Sequence, residues 1–424
     1  MSDLAVQTDL PVEAAIVVDR AVRHRARVFG AITFVLGAAA CLMFGRADGD
    51  ATFVLNPRGE DSLPDIVVPA GPTAIALGIA AMILGVLGAT KIPPRRAVYV
   101  LAGGMVLFLA AMLVWATAGA STTLVGLFAG TLRRATPLAL GALAGVLCER
   151  AGVINIAIEG MLLGGAFMGS FVASWLDGKW WGVLAGVLIG AVLGLALGSL
   201  SIRYTVDQVV GGTVINLFAL GMTSYLAAAV LAEYPDLNTP PTFRPVGIPL
   251  LEDIPIIGPV VFDNTPLVYA MLVLVAVVTV VLFGTRFGLR LRSVGEHPSA
   301  ADTVGIDVKR MRYIAVMLGG AVAGLGGTFF SLDSAGRFEE NMTAGRGFIA
   351  LAALIFGRWH PVGALGAALV FGFAEEFQGR LAALNSGIPS EALLTAPYVV
   401  TLIVVAGLVG KARAPAADGV PFTR

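Results

Sequence analysis

Asn155 and Glu159 stand four residues apart in GVINIAIEG, residues 152–160, inside a stretch that is otherwise apolar or glycine. At i and i+4 the two side chains share one face of a helix. An amide beside a carboxyl offers two kinds of chemistry there: a hydrogen-bonded staple between neighbouring helices, or the polar lining of a watery path. A second constellation lies in TVDQVVGGTVINLFALG, residues 205–221, with Asp207 and Gln208 at one end and Asn216 two turns further in. Asn216 either lines a path or bridges helices. The other reactive residue types do not assemble into a set. His24, His297 and His360 are far apart in sequence, and Cys41 and Cys148 show no metal-ligand or redox spacing; both cysteines read as buried packing residues. There is no G-x-x-x-x-G-K-[ST] for a nucleotide, no H-E-x-x-H and no nucleophile elbow. The sequence does not argue for an enzyme.

What must position these residues follows from composition. Of 424 residues, 57% are hydrophobic and 13% charged, against roughly 25% charged in an ordinary soluble domain. Apolar runs near the roughly 20 residues that cross a hydrocarbon core recur along the chain, which makes it an all-α, polytopic integral membrane bundle. Formal net charge is zero, so nothing points to nucleic acid. A charge near the bilayer centre costs on the order of 3 kcal/mol on the most lenient scale, and a helix N-terminus returns only about 0.3–1 kcal/mol. Glu159 therefore faces protein, paired with Asn155 or with Arg133 or Arg134 of the preceding span, or it faces a watery path.

Spans are expected at about 28–45, 72–89, 97–118, 124–147, 154–174, 181–200, 209–232, 266–284, 313–332, 361–377 and 395–410. A short segment at 347–357 reaches only about half the core and must be a half-span or dipping element. The count is about twelve membrane segments. The run after the basic cluster Arg20, Arg23, Arg25 and Arg27 reads as a retained signal anchor. Positive charge places that cluster, the loop with Lys91, Arg95 and Arg96, and the loop 285–312 on the cytoplasmic side. The acidic connections 46–65 and 233–265 face outward. Glu375 and Glu376 close an apolar helix on the outer side, where solvation accounts for them. Phe338 and Phe348 near the outer mouth offer ring faces to a planar ligand or serve as interfacial anchors. Gly182, Gly186, Gly190, Gly194 and Gly198 recur every four residues, a smooth stripe that lets a neighbouring backbone approach and marks a central helix.

In TRFGLRLRSVGEHPSAADTVGIDVKRMR, residues 285–312, Pro298 suits the first position of a short helix and Gly305 its left-handed stop. About two turns cannot hold alone in water. They need a partner, and Ser299, Ala300 and Ala301 are small enough to enter a groove while Glu296 and Asp302 meet basic residues at its rim.

ERAGVINIAIEGMLLGGAF, DQVVGGTVINLFALG, FGLRLRSVGEHPSAADTVGI followed by MRYIAVMLGGAVAGLGG, and AGRGFIALAALIFGRWHPVGALGAALVFGF resemble, in order and spacing, the permease subunits of bacterial ABC importers of the branched-chain amino acid and simple-sugar group. The likeness is strongest to the nucleoside-importing branch that works with basic-membrane-protein lipoproteins, and it covers about residues 121–411. The resemblance implies a type II-like importer core at 121–411, preceded by a cytoplasmic tail 1–27 and an extension of three spans at 28–120, and followed by a tail 412–424. It implies that Glu296, His297, Pro298, Ser299, Ala300, Ala301, Asp302, Val304, Gly305 and Ile306 form a coupling helix seated on a separate ATPase subunit. His297 stands where the family often has asparagine. It implies that Asn155, Glu159, Gln208, Asn216, Phe338 and Phe348 line or gate a path shared with a second, different permease. The resemblance further implies that this chain binds no cofactor, that ATP and Mg sit on the ATPase, and that a binding lipoprotein delivers the solute at the bacterial cytoplasmic membrane. Simple-sugar import, and an ion-coupled carrier of another class using Glu159, remain open on the residues alone.

Overall fold

The computed structural model describes residues 12–55, 63–93, 96–384, 395 and 413–423, with side chains described from Arg23 onward. Residues 396–410 of the expected span at 395–410, and the acidic residues Glu60 and Asp61, lie outside the described residues. The chain divides into two compact units, one built mainly from residues before Leu124 and one mainly from residues after Val125.

The first unit holds three long helices, α1 (Val12–Phe44), α2 (Ala70–Thr90) and α3 (Ala97–Ala116). Between them runs a small sheet that hydropathy alone does not announce. Its strands are β1 (Asp50–Val54), β2 (Ile66–Pro69) and β3 (Ser121–Thr123). β1 is central, antiparallel to β2 with Asp50 opposite Pro69, and parallel to β3 with Thr52 opposite Ser121.

The second unit begins with α4 (Leu124–Glu149), α5 (Ile158–Trp175), α6 (Lys179–Gly198) and α7 (Gln208–Leu226). A two-stranded ribbon, β4 (Val246–Gly247) with β5 (Asp263–Asn264), then leads into α8 (Pro266–Gly284). After it come α9 (Arg286–Glu296), α10 (Pro298–Thr303), α11 (Val308–Phe329), α12 (Arg346–Phe356) and α13 (Pro361–Ala383). Local chemistry sets many of these boundaries. Pro266 and Pro298 occupy first-turn positions whose N–H groups would be unpaired anyway. Asp207 caps α7 by accepting from the Val209 and Val210 amides at 2.9 and 3.0 Å, and Asp307 caps α11 through the Arg310 amide at 2.9 Å.

Among the described residues eight helices are long and apolar enough to cross a membrane. α4 and α13, of 26 and 23 residues, have the length to cross but carry charged residues, Arg133 and Arg134 in one and Glu375, Glu376 and Arg380 in the other. α12 has 11 residues, a rise of about 16 Å and so about half a core. Several boundaries differ from expectation: α1 begins at Val12 and not near 28, and α13 runs to Ala383 and not to 377. The span expected from 154 starts at Ile158, because residues 152–157 form turns and not a helix. The span expected from 313 starts at Val308, where the Asp307 cap stands, and runs on as a π-helical turn, Phe330–Ser334.

The glycine stripe places α6 against α11 at backbone distance. A methyl group on Gly190 would sit 2.1 Å from the Gly320 carbonyl oxygen, and one on Gly324 would sit 2.1 Å from that of Gly186. α5 joins through Gly165, whose added carbon would meet the Gly324 oxygen at 2.3 Å. Three helices thus touch through their main chains, which holds the start of α5, where the polar residues cluster, in a rigid frame.

Candidate functional site

α4 ends at Glu149, and the chain then turns at Gly152, whose φ of +83° falls in the left-handed region that glycine enters freely. Residues 152–157 follow as an irregular loop threaded among helices. A buried loop has backbone donors and acceptors that need partners, and the polar side chains of the two sequence constellations supply them. The Gln208 Oε1 accepts from the Ile154 amide at 2.7 Å. Asn216 donates through Nδ2 to the Ile156 carbonyl and accepts at Oδ1 from the Gly160 amide, both at 2.8 Å. One helix, α7, therefore grips the loop at two points, Ile154 and Ile156, and the first turn of α5 at a third, Gly160.

Asn155 does not share a helical face with Glu159, since it precedes the helix. It is fully buried, and its Nδ2 lies 3.4 Å from the Cys148 Sγ and 3.7 Å from the Met161 sulfur. Glu159 pairs with neither Asn155 nor the arginines of α4. Its Oε1 accepts from the Thr343 hydroxyl at 2.6 Å and the Gly345 amide at 2.8 Å, and its Oε2 accepts from the Gly347 amide at 2.5 Å. Gly345 is the N-cap of α12 and Gly347 lies in its first turn, where orphan amides and the positive end of the helix dipole both favour an anion; Thr343 stands just before them. A carboxylate on α5 thus caps the short helix. Gly347 lies so close that an added methyl would stand 2.5 Å from the Glu159 Cα.

The other end of α12 is fastened to α4. Arg358 and Trp359 turn the chain with positive φ, 58° and 54°, a strained pair for residues with side chains. The Arg150 Nε donates to the Trp359 carbonyl at 2.8 Å, and the Trp359 indole N–H donates to Glu149 at 2.5 Å. The half-helix is held at both tips by the segment 149–159.

The remaining expected path residues divide. Phe338 is buried, its ring edge-on to Phe167 with centroids 5.1 Å apart, and it offers no free face. Phe348 is half exposed. Glu375 and Glu376 are not merely solvated: Glu376 pairs with Arg134 at 2.7 Å and Glu375 with Arg346 at 3.4 Å. Beside these pairs a cavity of about 220 Å³ is lined by Arg134, Phe330, Glu339, Arg346 and Glu375, among others.

The second candidate element is a short helix with the expected start and stop, but not all of its small residues face outward. α10 begins at Pro298, and Gly305 follows its end with φ +86°. Glu296, His297, Ser299, Ala300, Val304 and Gly305 are exposed, Val304 at 76%. Pro298, Asp302 and Ile306 are partly covered. Ala301 points inward, buried in a small cluster with Val294 and Val308, so it supports the helix from below and cannot itself touch a partner. A groove of about 570 Å³, lined by Phe287, Arg290, Val304, Ile306, Arg310 and Ile314 among others, opens beside it.

Sequence reasoning missed Thr343, Gly345 and Gly347 as the partners of Glu159, and Trp359 as the partner of Glu149. The only available signal was the pair of glycines around Arg346, which permits close backbone approach. Among the described residues no group of three or more histidine, cysteine or acidic side chains could hold a metal ion.

Residues 127–409 match the family model described as branched-chain amino acid transport system / permease component. The chain is 43% identical over 304 residues to the guanosine ABC transporter permease protein NupQ of Bacillus subtilis, covering 69% of this chain and 95% of that one. It is 39% identical over 312 residues to the nucleoside ABC transporter permease protein NupC of Lactococcus lactis, covering 71% and 98%. It is 35% identical over 286 residues to the putative glucose ABC transporter permease protein TsgC13 of Haloferax volcanii, covering 66% and 85%. No solved structure matches the chain.

Proposed function

Because the chain belongs to the family of permease components of branched-chain amino acid transport systems, we propose that it is the membrane-spanning subunit of an ATP-driven importer of nucleosides. Its multi-pass helical build is that of a membrane protein, and the proposed site is a bacterial cytoplasmic membrane. The observation that carries the solute is the 43% identity to a guanosine permease across nearly the whole of that relative. The glucose relative is further away, at 35%, and keeps simple sugars as the second reading.

The partners follow from what the chain lacks and exposes. It has no P-loop, so hydrolysis of ATP with its Mg falls to a separate subunit, and this chain needs no cofactor of its own. The exposed face of α10, from Glu296 and His297 through Ser299 and Ala300 to Val304, is where that ATPase docks. A second permease, different from this one, completes the path, and a binding lipoprotein supplies the solute from outside. Glu159 already accepts from three protein donors, which supports a staple and gives an ion-coupled mechanism nothing to build on. In this reading the loop 152–160 and α12 form the gate, and Gln208 and Asn216 set its position.

Uptake of labelled guanosine, other nucleosides and simple sugars by cells expressing the chain with its neighbouring genes tests the proposal. Nucleoside uptake that stops on loss of the ATPase and survives collapse of ion gradients is the expected result. Uptake driven by an ion gradient with no other polypeptide present overturns it.

A further inference from the structure

The mechanism so far leaves one buried arginine and one terminal segment without a task. Arg312, four residues into α11, is 2% exposed and ranks among the largest fully buried side chains. Its Nε donates to the Ala151 carbonyl at 3.2 Å, and its Nη1 donates to the Val420 carbonyl at 2.9 Å. One guanidinium therefore joins three pieces of chain: α11, the entry to the 152–157 loop, and the C-terminal segment 413–423. Arginine suits this because its planar fork presents donors in two fixed directions.

The terminal segment makes further contacts of its own, on one side with the end of α9 and the underside of α10 and on the other with the 152–157 loop. The Ala417 amide donates to the Gly295 carbonyl at 2.8 Å and the Ala416 amide to the Glu296 carboxylate at 3.2 Å, which fastens the segment to the end of α9 just before the coupling helix. Phe422 packs on the cluster of Val294, Ala301 and Val308, the underside of α10. On the other side the Ala417 oxygen lies 2.9 Å from where a methyl on Gly152 would be, and Gly419 backs onto Ile154. Asp418 shares a hydrogen bond with Glu149 at the end of α4.

We propose that residues 413–423 form a strap, and Arg312 its positioning residue, that ties the coupling helix to the 152–157 loop so that displacement of α10 is delivered to the gate. This rests on the importer reading above. Without the strap, α10 still reaches the loop through α9, whose Gly295 backs onto Arg150 and Gly152, but the Phe422 anchor beneath its apolar side and the Val420 carbonyl held by Arg312 are lost. A terminal tail that only covers surface would need neither a fully buried arginine nor contacts on both partners.

The test uses the whole importer in liposomes, comparing the intact chain with a chain ending at residue 412, Phe422→Ala and Phe422→Leu. Two quantities are read: solute imported per ATP hydrolysed, and hydrogen exchange of the 152–157 amides. Removing the strap or its Phe422 anchor lowers import per ATP by about fivefold or more, the lower end of ordinary site-to-site coupling, while ATP hydrolysis persists and loop exchange accelerates. Phe422→Leu restores both. Should the shortened chain fail to assemble, Phe422→Ala decides alone, and an unchanged ratio with unchanged exchange overturns the strap. If the intact complex imports nothing with ATP, the importer reading fails, and loop exchange in Phe422→Ala still settles the physical link.

Discussion

Glu159→Gln probes the clasp between α5 and α12 with one atom changed. The carboxylate receives three donors, at 2.6, 2.8 and 2.5 Å. An amide has one oxygen to accept with, and its NH₂ must face a donor. If the oxygen keeps Thr343 and Gly345, the Gly347 amide is left buried against another donor. A hydrogen bond to a charged group contributes about 1.5–3 kcal/mol, and a buried donor without a partner costs about 1–3 kcal/mol. Removing a charge works in the opposite direction, since a carboxylate at mid-membrane costs about 2.5–3.5 kcal/mol on insertion scales. That figure describes a charge without fixed partners, whereas this one has three donors and a helix N-terminus that adds about 0.3–1 kcal/mol. The loss wins, and the variant is destabilised by about 2 kcal/mol. Thermal unfolding in detergent measures it, and faster amide exchange at Gly345 and Gly347 assigns it to the clasp. A midpoint equal to or above that of the unaltered chain, with exchange unchanged, refutes the reasoning. In assembled importer the same variant separates staple from lining: a wild-type import rate leaves Glu159 with the structural role alone.

The proposed docking face gives a paired prediction. Ala300→Trp on the exposed side of α10 abolishes co-purification of the ATPase and leaves thermal stability within about 0.5 kcal/mol, while Ala301→Trp, on the buried side, destabilises the loop itself. The glycine stripe predicts that Gly190→Ala costs about 1–3 kcal/mol by overpacking, because its methyl would press on the Gly320 oxygen. Gly366→Ala in α13, where nothing lies within 4 Å, is neutral or stabilising by up to about 1 kcal/mol; unfolding of the two variants side by side checks both. Burial pushes the Asp418 carboxyl up from the usual 3.8 to about 7, against the opposing pull of its Glu149 hydrogen bond and Arg312. Its contribution to tail docking is therefore whole below pH 3.8 and is lost as pH rises through about 7. Exchange of the Ala417 and Val420 amides follows that course, and Asp418→Asn weakens it, the neighbouring Glu149 carboxyl sharing the same titration.

Period and length made the bundle readable. The glycine stripe on α6, the eleven-residue α12 and the Pro298 to Gly305 helix are all local signals, each resting on spacing that a helix enforces within a few residues. The short helix α10 could be placed to within a residue because a proline and a glycine bracket it. The partners of Glu159 could not be placed, because Thr343 and Gly347 are 184 and 188 residues away in sequence and the donors are mostly backbone amides, which every residue has. The same applies to Gln208 and Asn216: their side chains bind main-chain atoms of the loop, so no complementary residue type marks the contact. Asn155 was assigned to a helical face because i, i+4 spacing is ambiguous when a turn intervenes, and Gly152 was the one residue that signalled the turn.

The polar residues that stood out in the apolar sequence turn out to converge on a single object. Gln208 and Asn216 hold the loop 152–160 from α7, Glu159 extends it to the start of α12, Glu149 and Arg150 hold the end of α12, and Arg312 holds the loop's entry. Irregular backbone at membrane depth needs such partners, and a continuous helix at 150–160 would have needed none of them. Under the proposed function this loop is the part that gives way during import, because it is held by separate side-chain hydrogen bonds and not by the glycine-packed contact of α6 with α11. A chain in which Gln208→Leu and Asn216→Leu release that grip should lose import while the glycine-packed frame still unfolds cooperatively at its own temperature. If import survives with the grip removed, the loop is scaffold and the moving part lies elsewhere.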